Sequence, residues 1–222
     1  MKDELVIFNK PKSNISEDIR TIRTNLMFTA SEDDAKVILI TSSVPGEGKS
    51  FISSNLAAAF AQTGESTLLI DSDLRLGRIH KVFGVSNEKG LSNLLIGQSV
   101  VDCADYIKKT QIPDLYVIPR GTVPPNPSEL LNSNNTKKII TFLRKKFDHI
   151  IFDGVPINGL PDSLIMASLV DRVVVVTSVG YTKIDELMET KKALEKIDAK
   201  VAGIVANRTV QTKRGKYSNY YE

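Results

Sequence analysis

Cysteine is nearly missing from this chain: Cys103 is the single one among 222 residues. One thiol excludes an internal disulfide and any multi-cysteine metal cluster. Histidine is almost as scarce. His80 and His149 have no ligand partners at metal-binding spacing, so neither points to a metal site. No apolar run approaches the roughly 18 residues that a membrane-spanning helix needs. The N-terminal MKDELVIFNKPK lacks the apolar segment of a secretory signal. Net charge is +3, too small a bias to argue for nucleic acid as a partner. With 41% apolar and 25% charged residues, the composition is that of a soluble globular protein. The length suits one α/β domain with a sizeable core. These absences predict a cytoplasmic protein and leave attachment to a membrane through a partner open.

What is present is a series of apolar, β-branched runs over 37–41, 67–71, 115–119, 149–153, 172–178 and 201–206. Each is continuous rather than alternating. That predicts strands covered on both faces, hence a parallel sheet. Helical patterns over 49–63, 135–146, 161–169 and 183–198 separate most of them. In the last, Ile184, Leu187, Met188, Leu194 and Ile197 share a face. Strand–helix alternation predicts a doubly wound, mainly parallel α/β fold with helices on both faces. Ahead of the first strand, residues 1–14 read as irregular. Ser16 reads as a helix cap, with Glu17 and Asp18 in the first turn. Ile15, Ile19, Ile22 and Leu26 then give an amphipathic helix of about 12–14 residues, placed at about 16–29. Residues 1–208 read as one domain without repeats. The end, TVQTKRGKYSNYYE, has no apolar periodicity and reads as a flexible basic tail over 209–222. Cys103 reads as a packing residue, His149 as the opening of a strand, and Pro124, Pro125 and Pro127 as a stiff loop.

The chemistry begins at SSVPGEGKSF, Ser42 to Phe51, between an apolar run and a helical pattern. A P-loop is written G-x-x-x-x-G-K-[ST]. Gly48, Lys49 and Ser50 match it, and Ser43 takes the first glycine position. Gly46 and Gly48 let backbone N–H groups approach an anion, with Glu47 between them. The following helix adds partial positive charge at its N-terminus. Lys49 would reach the β- and γ-phosphates and Ser50 would ligate Mg²⁺. LLIDSDLR places Asp71 and Asp73 at a strand end, and HIIFDGVP places Asp153 at another, the expected Walker B position. A doubly wound sheet binds ligands at the carboxyl ends of its strands. Any one of these aspartates alone is equally a turn or cap residue; three beside a P-loop predict a shared metal site of Ser50, Asp73 and Asp153. Arg75 is either a phosphate contact or the partner of a carboxylate. Asn207, in VANR with Arg208, is either an adenine contact or a turn residue. The guanine signature N-K-x-D is missing, which favours ATP.

Together these residues resemble the bacterial tyrosine kinases of capsule and exopolysaccharide assembly. PGEGKS is similar to their Walker A, LLIDSDLR to their Walker A′ and IIFDGVP to their Walker B, although Gly154 follows Asp153. Glu17, Arg20 and Arg23 match E-x-x-R-x-x-R, a motif the family uses at the interface of a ring oligomer. They step by three and so share one broad helix face. Tyr217, Tyr220 and Tyr221 resemble the autophosphorylation cluster, and GTVPPNPSELL a further family segment. The likeness covers nearly the whole chain. It implies a deviant Walker A fold of the partitioning-ATPase type. It also implies transfer from ATP, with Mg²⁺, to tail tyrosines in trans within a ring, and control of polysaccharide synthesis and export through protein substrates.

Without a membrane segment ahead of the kinase, the likeness implies the two-protein arrangement. A separate transmembrane activator would then bring the kinase to the inner face of the membrane through its cytoplasmic tail. Lys49, Asp71, Asp73 and Asp153 are the expected catalytic set, with Asp71 taking the tyrosine proton. Gly46, Glu47, Gly48, Lys49, Ser50, Phe51, Asn207 and Arg208 are the expected nucleotide contacts. Related division-site and partitioning ATPases carry a lysine near the start of the P-loop. Val44 and Pro45 occupy that neighbourhood here, which disfavours dimerisation through it. The rival reading is a nucleotide-switch ATPase that acts by assembly and partner recruitment.

Overall fold

The computed structural model describes residues 4–28, 36–97 and 100–209. Seven strands form one sheet: β1 (Val37–Ser42), β2 (Thr67–Asp71), β3 (Lys108–Lys109), β4 (Leu115–Ile118), β5 (His149–Pro156), β6 (Arg172–Ser178) and β7 (Val201–Asn207). Their spatial order is β3-β4-β2-β5-β1-β6-β7. Neighbours run parallel except the two-residue β3, which pairs antiparallel with β4. Nine α-helices are described: α1 (Val6–Asn9), α2 (Asn14–Phe28), α3 (Lys49–Ala61), α4 (Ile79–Phe83), α5 (Leu91–Ile96), α6 (Pro127–Leu131), α7 (Asn134–Leu143), α8 (Asp162–Ala167) and α9 (Ile184–Glu195).

Alternation along each strand sends neighbouring side chains to opposite faces. Ile38, Ile40, Leu69 and Val174 pack on one side with Ile7, Ile19, Leu56, Phe60 and Val82 of α1 to α4. Leu39, Leu68, Phe152 and Val175 pack on the other with Leu94, Leu143, Met166 and Leu194 of α5, α7, α8 and α9. Each fully buried Leu, Ile or Phe contributes roughly 1.5–3 kcal/mol relative to exposure. The expected doubly wound α/β architecture is therefore present. Cys103 packs into the second core, and His149 opens β5 with its ring on Phe60 at 4.1 Å.

Several local expectations are corrected. Residues 6–9 are helical, not irregular, because Leu5 and Ile7 are fully buried against the core. Ser16 is not the cap of α2. It lies in the first turn, buried, with its hydroxyl donating to the Lys10 carbonyl at 2.7 Å. Ser13 takes the capping role, its Oγ accepting the Ser16 N–H at 3.2 Å. In α2, Ile19 and Leu26 are buried and Ile22 packs against the core, but Ile15 is exposed. In α9, Leu187 and Leu194 pack in the second core, whereas Ile184 and Met188 are exposed, as is Ile197 just past the helix. β7 is not covered on both faces. It ends the sheet order, so Val201 and Ile204 are 45% and 56% exposed. Short α4, α5 and α6 carry too few residues for a clear period, and Pro127 begins α6 rather than a loop. The tail with Tyr217, Tyr220 and Tyr221 lies outside the described residues.

Candidate functional site

The carboxyl edge of the sheet gathers the chemistry. β1 ends at Ser42, the loop 43–48 follows, and α3 begins at Lys49. Gly48 precedes the helix at φ 96°, a conformation that L side chains rarely adopt. A Cβ there would also lie 2.2 Å from Asn207 Nδ2. The first N–H groups of an α-helix have no intrahelical acceptor, so the start of α3 offers donors of the kind that favour a phosphate.

Asp71 and Asp153 are register partners on adjacent β2 and β5. Asp153 is buried among hydroxyls of the first turns of α3. Ser53 Oγ donates to Asp153 Oδ1 at 3.0 Å, and Ser50 also bonds this carboxylate. Burial still pushes the Asp153 carboxyl up to about 6, against the two serines and Lys49, which favour its charge. Asp71 is fully buried. Its Oδ2 accepts the Ile79 N–H at 3.0 Å and its Oδ1 has no hydrogen-bond partner. Burial first, then the Asp153 charge, holds Asp71 well above the usual carboxylate range. Gly77 makes room for it, since a Cβ there would stand 2.3 Å from Asp71 Oδ1. Burial lowers the Lys49 ammonium from its usual value, opposed by the charges of Asp153, Asp73 and Glu47. One lysine thus faces several acids in a water-poor site.

Asp73 shapes the loop after β2. Its Oδ1 accepts the N–H groups of Arg75 at 3.1 Å and Leu76 at 2.8 Å. Arg75 is the partner of a carboxylate: its Nε lies 3.1 Å from Asp162 Oδ2, a side chain only 1% exposed. Ser128 donates to the same carboxylate, and Arg120 Nη1 donates to the Arg75 carbonyl at 2.8 Å. The segment GTVPPNPSELL therefore braces the Asp73 loop. Glu47 is buried, with its Oε2 accepting the Val44 N–H of the same loop at 2.7 Å; its carbonyl accepts Asn207 Nδ2 at 2.9 Å. Phe51 packs on the first core. Arg208 follows β7 at φ 56°.

The arginine motif sits apart on α2. Glu17 and Arg20 pair with each other, Arg20 also donates to the Pro11 carbonyl at 2.9 Å, and Arg23 donates to the Ala59 carbonyl at 2.7 Å. Sequence reading missed Ser53, Arg120, Asp162 and Thr182. Ser53 was discoverable, being three residues from Ser50 on one helix face. Asp162 and Thr182 meet their partners 87 and 135 residues away, with no local signal.

Donor chemistry here suits a magnesium–nucleotide complex. Among the described residues no group of three or more His, Cys, Asp or Glu forms a ready-made metal cage. Mg²⁺ usually takes one or two carboxylates and shares the remainder with substrate phosphates and water. Asp73 and the hydroxyl-lined Asp153, both acting on the charge of Lys49, supply that number, while the unpartnered Asp71 Oδ1 stays open to take a proton.

Fold and site together define a P-loop α/β protein of the deviant Walker A type. The AAA domain family matches residues 35–206. The tyrosine-protein kinase YwqD of Bacillus subtilis (strain 168) is 36% identical over 220 residues, 99% of this chain and 92% of that one. The tyrosine-protein kinase CpsD of Streptococcus agalactiae is 39% identical over 207 residues, 92% of this chain and 89% of that one. The crystal structure of the chimerical protein CapA2B2 superposes with a TM-score of 0.89 at 37% identity, covering 95% of this chain and 92% of that one. The chain belongs to the bacterial protein-tyrosine kinases of capsule and exopolysaccharide assembly.

Proposed function

We propose that this kinase transfers the γ-phosphoryl group of ATP to Tyr217, Tyr220 and Tyr221 of a neighbouring copy, and thereby regulates polysaccharide synthesis and export. One observation carries this reading. Lys49, Asp71, Asp73 and Asp153 converge at the edge of the sheet where β7 also ends, so the chain leaves for its tyrosine-bearing end beside the cradle. From Arg208 to Tyr217 the chain spans at most about 30 Å, enough to reach an adjacent subunit.

Phosphoryl transfer is mainly positioning and charge stabilisation. The amides of residues 46–51 and the Lys49 ammonium hold the β- and γ-phosphates. Ser50, Asp73 and Asp153 hold Mg²⁺, which when bound neutralises charge on the phosphates. Asn207 and Arg208 border the base. A free phenol has a pKa near 10, so forming the phenolate at neutral pH costs roughly 4 kcal/mol. Asp71, with its raised proton affinity, offsets part of this by taking the proton at Oδ1 through one water, because the carboxyl itself is buried.

Glu17, Arg20 and Arg23 form the ring contact, where Arg pairs carboxylates in a fixed fork. No helix among the described residues is long and apolar enough to cross a membrane. The chain covers 92% of YwqD and 89% of CpsD, which supports an activator carried on a separate, membrane-embedded protein whose cytoplasmic tail recruits and switches on the kinase. Likeness to tyrosine kinases over nearly the full chain favours this reading over a nucleotide switch acting by assembly alone.

The test is radiolabelled ATP with magnesium and an activator-tail peptide, scoring phosphotyrosine separately from free phosphate. Wild type should label its C-terminal segment, and the Tyr217→Phe/Tyr220→Phe/Tyr221→Phe variant should not. Free phosphate without phosphotyrosine would instead support the switch.

A further inference from the structure

A carboxylate inside an anion-binding loop needs explaining. Glu47 lies between the two glycines of the phosphate cradle, and a like charge near a phosphate costs about 1–4 kcal/mol at 4 Å in surroundings from water to protein surface. The fold eases the conflict by burying the carboxylate and giving each of its oxygens a donor. Glu47 is 0% exposed. Its Oε2 accepts the Val44 N–H at 2.7 Å, and its Oε1 accepts the hydroxyl of Thr182. Thr182 Oγ1 in turn accepts the Ser178 N–H at 3.0 Å. A buried charge needs such partners, and hydrogen bonds to a charged group contribute about 1.5–3 kcal/mol each.

The same residue is also held from β7. Asn207 donates from Nδ2 to the Glu47 carbonyl, accepts the Arg208 N–H at Oδ1 at 2.9 Å, and accepts the Val179 N–H at its carbonyl at 3.0 Å. Tyr181, in the same 178–182 turn, places its hydroxyl 3.6 Å from where a Cβ on Gly46 would stand. The cradle, the turn after β6 and the end of β7 are thus joined by hydrogen bonds that converge on Glu47.

We propose that Thr182 and Glu47 are positioning residues that lock the phosphate loop to the end of β7, so that filling the cradle also fixes the root of the C-terminal segment at Arg208. The inference rests on the cradle being the nucleotide site. Thr182 touches no reacting atom; it acts through Glu47.

Thr182→Val keeps the shape and removes the hydroxyl, leaving the Glu47 carboxylate without one donor. KM for ATP and the directly measured Kd for Mg-ADP should rise about 10-fold, with a much smaller change in kcat. Thr182→Ser should restore wild-type values. Trypsin cleavage after Arg208 should slow about 3-fold or more when Mg-ADP binds the wild type and Thr182→Ser. That response should vanish in Thr182→Val at saturating nucleotide. Equal melting temperatures for Thr182→Val and Thr182→Ser would show that the fold is intact. If Thr182→Val is destabilised, its Kd and cleavage pattern measured below its melting transition still decide. Unchanged Kd and unchanged nucleotide protection in Thr182→Val overturn the lock alone, while wild type still binds Mg-ADP. Failure of the wild type to bind Mg-ADP overturns both the cradle and the lock.

Discussion

Asp71 and Asp153 stand side by side on neighbouring parallel strands, both buried, with the Lys49 charge acting on Asp153 and the Arg120 charge on Asp71. Two buried acids this close resist being ionised together. The arrangement is poor for stability and useful for chemistry, because it waits for positive charge.

A pH dependence follows. Asp153 rises from an ordinary value of 3.8 to about 6 in the folded protein, and Asp71 moves the same way. A raised folded pKa means that the native state binds the proton more tightly than the unfolded chain. The resulting stability is present below the unfolded value and is lost as pH rises through the folded one. For Asp153 the loss amounts to roughly 3 kcal/mol above neutrality, at about 1.4 kcal/mol per pH unit. His149 opposes this below about pH 6.5, since burial lowers its value and the unfolded chain then takes the proton more readily. The comparison of wild type with Asp153→Asn isolates the acid. Denaturant titrations without nucleotide should show the variant more stable than wild type at pH 8, with the difference shrinking towards pH 5.

Lys49→Met tests the cation directly. The methionine preserves length and tolerates the buried site. Burial already disfavours the ammonium, so its removal should leave the melting temperature within a few degrees. Preorganised charge at the transferring group is the larger loss. Phosphotyrosine formation should fall by about two to three orders of magnitude, as when one such donor is removed elsewhere. Near-wild-type labelling in Lys49→Met would remove Lys49 from the assigned role.

Gly77→Ala probes the fit around Asp71. The new Cβ would stand 2.3 and 2.5 Å from the two carboxylate oxygens and 2.5 Å from the Asp73 carbonyl. That last atom is backbone, so the Asp73 loop must shift. Overpacking of this kind costs typically about 1–3 kcal/mol. Labelling of tyrosine should drop about 10-fold or more, while Mg-ADP affinity, set mainly by the P-loop, changes about 3-fold or less. The two assays read side by side check the separation.

Much of this was legible in the sequence because the signals are local. The six main strands announce themselves as continuous β-branched runs, and each ends within three residues of its expected limit. Lys49, Ser50, Asp71, Asp73 and Asp153 follow from motif spacing and from the rule that sites lie at strand ends. What escaped depends on tertiary context. Leu5 and Ile7 form a helical turn because they pack on α3, a fact absent from their own neighbourhood. Ile184 and Met188 fit an apolar stripe by period, yet α9 lies near the margin of the sheet and turns them to the surface. Arg75 could be assigned only once Asp162 was brought beside it.

The proposed ring contact gives the last prediction. Glu17 and Arg20 pair on the surface of α2, partly exposed, and exposed pairs contribute about 0–1 kcal/mol to folding. Arg23 differs, since it donates to the Ala59 carbonyl in the last turn of α3 and so supports the fold. Arg20→Ala is therefore the cleaner probe. It should leave the melting temperature within about 2–4 °C of wild type, the shift that about 1 kcal/mol produces in a chain of this length. If α2 carries the ring, the oligomer should dissociate on size-exclusion chromatography with light scattering. Phosphotyrosine formation in trans should then fall with it, while Mg-ADP affinity stays close to wild type. An Arg20→Ala protein of unchanged size that still labels its neighbours would place the subunit contact elsewhere on the surface.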